Sequence, residues 1–196
     1  AIGPLTNLAI ALQKYPQLPQ YIKCISIMGG AQGPGNMSPT AEFNIWADPE
    51  GAQMVFRSGI PMTMMGLDIC RKAYITQEDL DRCMAIGGKI STTTAHLFER
   101  RVAMAKTRGL PGGVLCDAVT AAFMIAPDLI QTFDAQVDVE TKGKLTDGKT
   151  VISTSATETG EIIPNCKVGR EIDREGFINL VIQSAKILDA ECGGEA

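Results

Sequence analysis

Met28 to Pro49 reads MGGAQGPGNMSPTAEFNIWADP. It follows a short apolar run, Cys24-Ile25-Ser26-Ile27, with the composition of a buried strand. Glycines 29, 30, 33 and 35 let the backbone turn sharply and approach a ligand closely. Four groups able to grip a polyol come next: Asn36, Glu42, Asn44 and Asp48. An amide and a carboxylate both accept hydrogen bonds from vicinal hydroxyls, and the amide also donates. Polar groups gathered past the C-terminal end of a strand are where open α/β sheets bind ligands. A turn-only reading stays open, with Asn36 as a turn residue and Glu42 as a solvated helix start. A dinucleotide fingerprint is a poor alternative, because no third glycine and no helical pattern follow Gly33-Pro34-Gly35.

Outward from this loop, helical and extended patterns alternate. Leu5 to Lys14 reads as a helix ended near Pro16, and Ile22 to Ile27 as a strand. Pro49 to Ser58 reads as a helix with Asp48 as N-cap, and Met62 to Leu67 as a strand. Thr76 to Met84 is a helix, with Thr76 as N-cap and Asp79 close to completing a capping box. Ile90 to Lys106 is a longer helix, and another begins at Asp117 and runs to Ile125. Phe133 to Thr141 and Thr150 to Ser155 alternate as strands joined through Asp147-Gly148. Asp173 to Asp189 closes the chain as an amphipathic helix with Phe177, Leu180, Val181, Ser184, Ile187 and Leu188 on one side. The expected fold class is α/β: a Rossmann-like open, largely parallel sheet flanked by helices, with antiparallel strands late in the chain.

Composition narrows the partners. A length of 196 residues is that of one domain, and 45% apolar content supports a core. Aromatics supply only 5%, so packing rests on aliphatic residues, alanine and nine methionines. A net charge of −4 argues against nucleic acid as the main partner, since phosphate binding needs a basic face. Arg100-Arg101 with Lys106 and Arg108 is the densest basic cluster and reads as a solvated helix face. The six cysteines are scattered with no C-x-x-C pair, which excludes the common zinc patterns. Free thiols suit a reducing compartment, so a cytoplasmic location is expected. No transmembrane run or signal peptide is seen, and no membrane partner is expected.

MGG, GN, AEFNI and DPE in this order resemble the nucleoside hydrolase family, the inosine–uridine-preferring N-ribohydrolases. Gly3-Pro4-Leu5-Thr6-Asn7-Leu8-Ala9 resembles the family's GPLTNLA segment. Cys116-Asp117-Ala118, followed by Ala126-Pro127-Asp128, resembles its HDP…PEL segment. Val137 to Thr141 and Leu145 to Gly148 resemble its VxVET…LTxG hairpin. The resemblance runs from residue 1 to about residue 155. The family's aspartate-rich DxDxGxDDA segment, which holds calcium and the general base, has no counterpart here. The chain starts in what resembles the middle of the family's domain. Residues 1–196 are therefore expected to be the C-terminal portion of a single nucleoside-hydrolase-like domain, with the N-terminal half of the same protein as a partner.

The resemblance implies a hydrolase that cleaves the N-glycosidic bond of ribonucleosides to ribose and free base. It implies calcium as cofactor, with Asp117 as a ligand and Thr6 contributing its backbone carbonyl. Asn36, Glu42 and Asn44 would bind ribose, Asn44 nearest the 2′-hydroxyl and the other two toward the 5′ end. Met28 would lie beside the sugar. Plain structural roles stay open: Asp117 as a helix N-cap, Thr6 as a first-turn residue, Met28 as core filler. Many family members carry histidine, a candidate acid for the leaving base, where this chain has Cys116. Its readings run from pocket-wall residue, through leaving-group contact, to nucleophile. His96, the single histidine, lies within the long helix and reads as a surface or packing residue. The family's habit implies a homo-oligomer. Residues 1–196 alone are expected to be inactive, and a non-catalytic ribose-binding or structural module is the rival expectation.

Overall fold

A computed structural model describes residues 1–156 and 160–192. The helices are α1 (Thr6–Lys14), α2 (Phe43–Trp46), α3 (Pro49–Phe56), α4 (Leu67–Cys70), α5 (Gln77–Met84), α6 (Lys89–Thr107), α7 (Cys116–Ile125) and α8 (Arg174–Cys192). The strands are β1 (Ile25–Met28), β2 (Met62–Met65), β3 (Tyr74–Ile75), β4 (Gly113–Val114), β5 (Ile130–Val139), β6 (Thr150–Ser153) and β7 (Cys166–Ile172). The main sheet is ordered β1-β2-β7-β5-β6, and β3 pairs with β4 in a separate ribbon. Strands β1, β2 and β7 pair in parallel, and β5 runs antiparallel to both β7 and β6. Four of the five strands therefore point the same way. This is the open, largely parallel sheet flanked by helices that the sequence leads one to expect.

Side chains alternate across the sheet with the strand period of two. Ile25 and Ile27, Met62 and Met64, Cys166 and Val168, and Ala135, Val137 and Val139 face one side. There they meet Leu5 and Ala9 of the α1 region and Ala52, Val55 and Phe56 of α3. A second core packs Met65, Ile69, Leu80, Ala95, Val119, Phe177 and Ile178 under α4 to α8. Among the described residues no helix is long and apolar enough to cross a membrane.

The structure departs from the sequence reading at several places, beginning with the short elements α2, α4, β3 and β4, which have no counterpart in it. Strand β7 has no counterpart among the expected elements. Its Lys167, Gly169 and Arg170 break the apolar signal, yet a Cβ at Gly169 would lie 2.9 Å from Ile69 Cδ1 of α4 and 2.8 Å from Met65 Sδ, so glycine is what lets α4 pack here. Helix α7 starts at Cys116 with Leu115 as N-cap, so Asp117 is a first-turn residue and not the cap. Helix α8 buries Phe177, Ile178, Ile182 and Ala185, whereas Ile187 and Leu188 are 56% and 45% exposed. Helix α6 lacks a cap of its own: the Asp189 carboxylate, on α8, accepts from Ile90 N at 2.6 Å and Ser91 N at 3.0 Å. The capping box of α5 is present as expected, with Thr76 and Asp79 bonding reciprocally. Asp79 also pairs with Arg82 of its own helix and with Arg174 at the start of α8, pinning the two helices together.

Candidate active site

Strand β1 ends at Met28, and the chain turns at Gly30 with φ of 75°. A Cβ at Gly30 would lie 2.8 Å from Thr150 Cγ2 and 2.9 Å from Met64 Sδ, so both the backbone conformation and the space demand glycine. Beyond the turn, the backbone is held by side chains from other elements. Thr150 Oγ1 accepts from Ala31 N at 2.9 Å and donates to Ala31 O at 2.8 Å. Asp68 accepts from Gln32 N at 2.6 Å and Gly33 N at 3.0 Å. A Cβ at Gly35 would fall 2.2 Å from Ala41 O, where the loop folds back on itself. The glycine-rich stretch is thus a tied scaffold that delivers Asn36, Glu42 and Asn44 to one place.

Each of those three side chains spends some atoms on the scaffold and keeps others spare. Glu42 is the N-cap of α2 and is 2% exposed. Its Oε2 accepts from Gly30 N at 3.0 Å, Asn44 N at 2.9 Å and Ile45 N at 3.3 Å. Asn44 is 7% exposed, and its Nδ2 donates to Met28 O at 2.9 Å and Met28 Sδ at 3.2 Å. Asn36 Oδ1 accepts from Phe43 N at 2.9 Å. This leaves Glu42 Oε1 and Asn44 Oδ1 as acceptors and Asn36 Nδ2 as a donor. Among the described residues, the only wholly buried side-chain oxygens or nitrogens without a partner are Thr63 Oγ1 and Thr120 Oγ1. The spare atoms of Glu42 and Asn44 are therefore not sealed off, and Asn36 is itself exposed, so all three residues line the adjoining cavity. Burial pushes the Glu42 carboxyl above the usual glutamate range, outweighing the N–H bonds from Asn44, Gly30 and Ile45, and the charge of Asp117 pushes the same way.

The facing wall comes from the start of α7. Leu115 N donates to Ala73 O at 3.0 Å, which sets Cys116 and Asp117 at the rim. A cavity of about 540 Å³ brings together Met28, Asn36, Glu42, Asn44, Cys116 and Asp117. Thr6 does not line it. Its hydroxyl donates to Asp48 Oδ2, and Asp48 Oδ1 caps α3 through Gly51 N at 2.9 Å. His96 lies outside the cavity too, on the exposed face of α6 with Nε2 3.9 Å from Glu99 Oε1. Cys116 packs against the apolar group of Met28, Ala31, Leu67 and Cys70. The interaction between its thiol and that of Cys70 drives Cys70 up, as burial also does, and holds Cys116 down against the opposing effect of burial.

The residues present do not complete a calcium site. Calcium takes about six to eight oxygens. Among the described residues no three acidic, histidine or cysteine side chains cluster as metal ligands. Asp117 offers one carboxylate at the rim, and Glu42 commits Oε2 to backbone N–H groups.

Of the cavity residues the sequence reading does not assign to the site, two stand on α6: Phe98, and Arg101, which it reads as part of a solvated face. They stand three residues apart and so share a helix face, which is the one signal that marks them. The basic cluster around Arg100 is exposed as expected, but Arg101 also borders the cavity.

Comparison with known proteins identifies the family. The family described as inosine-uridine preferring nucleoside hydrolase matches residues 1–179. The pyrimidine-specific ribonucleoside hydrolase RihA of Escherichia fergusonii is 43% identical over 186 residues, 94% of this chain and 59% of that protein. The corresponding protein of Citrobacter koseri is 43% identical over 185 residues. A purine-preferring ribonucleoside hydrolase from Gardnerella vaginalis superposes with a TM-score of 0.85 at 28% identity, covering 96% of this chain and 60% of that one. The chain spans about 59% of the length of the curated relatives it matches. With matched positions running through the loop, the polar trio and the α7 wall, the chain belongs to the inosine-uridine preferring nucleoside hydrolase family.

Proposed function

We propose that the protein hydrolyses the N-glycosidic bond of ribonucleosides, releasing ribose and the free base. The observation that carries this reading is the convergence of three spare polar atoms, Asn36 Nδ2, Glu42 Oε1 and Asn44 Oδ1, in one cavity beside Asp117. Breaking the bond builds positive charge on the ribose ring. Acceptors held rigidly against the hydroxyls stabilise that charge without reorganising, which is the main way preorganised sites lower barriers. Asn44 would face the 2′-hydroxyl, and Asn36 and Glu42 the 5′ end. Met28, whose Sδ touches the Asn44 amide, would floor the sugar subsite.

Calcium is the proposed cofactor; when bound it orients and activates water. Asp117 would be one of its ligands; the Thr6 carbonyl is a second only by the family resemblance, since Thr6 does not line the cavity. We assign the remaining acidic ligands to the part of the relatives' length outside the match, so residues 1–196 act as the C-terminal portion of the domain and are inactive by themselves. The absence of an acidic cluster among the described residues favours a ribose-binding role for this portion alone. The six free thiols support a cytoplasmic location, and the family resemblance supports a homo-oligomer.

The test is product analysis. Full-length protein with calcium is given uridine, inosine and their 2′-deoxy analogues. Equal amounts of ribose and base from the ribonucleosides, with the deoxy forms much slower, support the hydrolase. Binding without base release supports the ribose-binding module.

A further inference from the structure

Position 116 at the cavity rim carries a thiol, and the only histidine of the sequence, His96, lies outside the cavity. We propose that Arg101 is the leaving-group residue: its guanidinium hydrogen-bonds the departing base and carries the negative charge that the base takes with it. This rests on the hydrolase reading above and names the substrate class that such a site serves.

The cavity is lined by one cationic side chain, Arg101. The sugar-binding trio comes from the loop after β1, whereas Phe98 and Arg101 enter the same cavity from a different element, α6. Helix α6 reaches that position because β4 has no side chain in the way. A Cβ at Gly113 would lie 2.8 Å from Arg101 Cβ and 2.9 Å from Arg101 C. The same short segment runs on from Gly113 into Cys116 and Asp117, so it sets the spacing between Arg101 and the metal-side wall. Phe98, one turn earlier on the same face, adds a flat apolar surface for a planar base. Arg101 forms no ion pair with a described residue, so its donors are uncommitted. It also borders a second cavity of about 460 Å³ with Arg100 and Arg108, which makes this end of the site electropositive.

A guanidinium holds its proton throughout the working pH range, so it donates hydrogen bonds and not protons. The C1′–N bond breaks with its electron pair going to the base. In a 2-oxopyrimidine that charge spreads onto the oxygen beside the glycosidic nitrogen, where a guanidinium can take it up. Water adds to C1′ and gives up one proton, and the base anion gains one from solvent on release. Uridine and cytidine suit this device. A base that leaves by protonation of a ring nitrogen, as adenine does, does not.

The test separates leaving-group help from sugar binding. Full-length wild type, Arg101→Gln, Arg101→Lys and Arg108→Gln are assayed on uridine and on 4-nitrophenyl β-ribofuranoside, whose leaving group needs no help. Arg101→Gln is expected to lose at least about tenfold more kcat/KM on uridine than on the nitrophenyl riboside, with Arg101→Lys recovering part of it. A smaller difference between the two substrates overturns the assignment. So does an equal selective loss in Arg108→Gln, which would mean a diffuse field. A wild type inert on both substrates overturns the hydrolase reading itself, and this inference with it.

Discussion

Glu42 Oε2 accepts a hydrogen bond from Gly30 N at 3.0 Å, joining the cap of α2 to the first turn of the glycine-rich loop. One carboxylate therefore shapes the loop with one oxygen and faces the cavity with the other. Gly30 is the other half of that device. Its φ is 75°, and a Cβ added there would meet Thr150 Cγ2 at 2.8 Å, so Gly30→Ala combines backbone strain with a clash. It is expected to cost about 2 kcal/mol or more, read as a lower urea midpoint at unchanged slope. An unchanged midpoint would mean the loop is free to rearrange.

The raised Glu42 carboxyl has a kinetic consequence. Only the ionised form offers Oε1 as a pure acceptor. The acid limb of the kcat/KM profile should therefore lie above the usual glutamate range, because burial holds the proton on longer. Glu42→Gln should abolish that limb along with much of the rate. The stability sign follows the same way. A carboxyl raised in the fold contributes fully below its unfolded pKa, and that contribution is lost as pH rises through the folded value. Glu42→Gln should thus look least damaging to stability at neutral pH.

Asp79 shows the opposite sign. Burial pushes its carboxyl up, but the Thr76 backbone and side-chain hydrogen bonds and the Arg174 charge outweigh this and hold it below the ordinary range. Its contribution is present above the unfolded pKa and is lost as pH falls through the folded value. Arg174→Ala leaves a buried carboxylate short of one partner and should cost about 2 kcal/mol. Denaturation at about pH 7 and about pH 3 should show the wild type's advantage over Asp79→Asn shrinking in acid. A constant difference would assign it to packing.

Asp117→Asn should raise the calcium concentration needed for half-maximal activity, since a hard cation prefers anionic oxygen. The thermal midpoint without calcium should barely move, because Asp117 is exposed and does not cap α7. An unchanged calcium requirement would remove Asp117 from the ligand set.

The strand-loop-helix around residue 28 is legible in the sequence because its chemistry is local: an apolar run, glycines, then polar groups within a few turns. The first sheet strands and α5 are legible for the same reason. Strand β7 is not, since Gly169 makes sense only beside Met65 and Ile69, about a hundred residues earlier. The start of α6 depends on Asp189, whose reach across the fold no local pattern announces. The face of α8 misleads at its end, where Ile187 and Leu188 stay exposed although the apolar periodicity continues. At the site, Asn36, Glu42 and Asn44 come from motif and chemistry, and the structure puts them in one cavity with Cys116 and Asp117. Phe98 and the site role of Arg101 stay hidden because α6 is polar around most of its surface, and only the close packing of Arg101 against Gly113 sets that face of α6 at the cavity.

The central claim is that buried Glu42 and Asn44, with exposed Asn36 beside them, grip ribose during N-glycosidic cleavage. The most direct measurement is uracil release from uridine by full-length wild type and Asn44→Ala, with circular dichroism on both. The expected result is a folded variant whose kcat/KM falls about 10²–10³-fold, the usual cost of losing one preorganised group at the reacting centre. A folded Asn44→Ala within about threefold of wild type, a loss too small for such a contact, would contradict it.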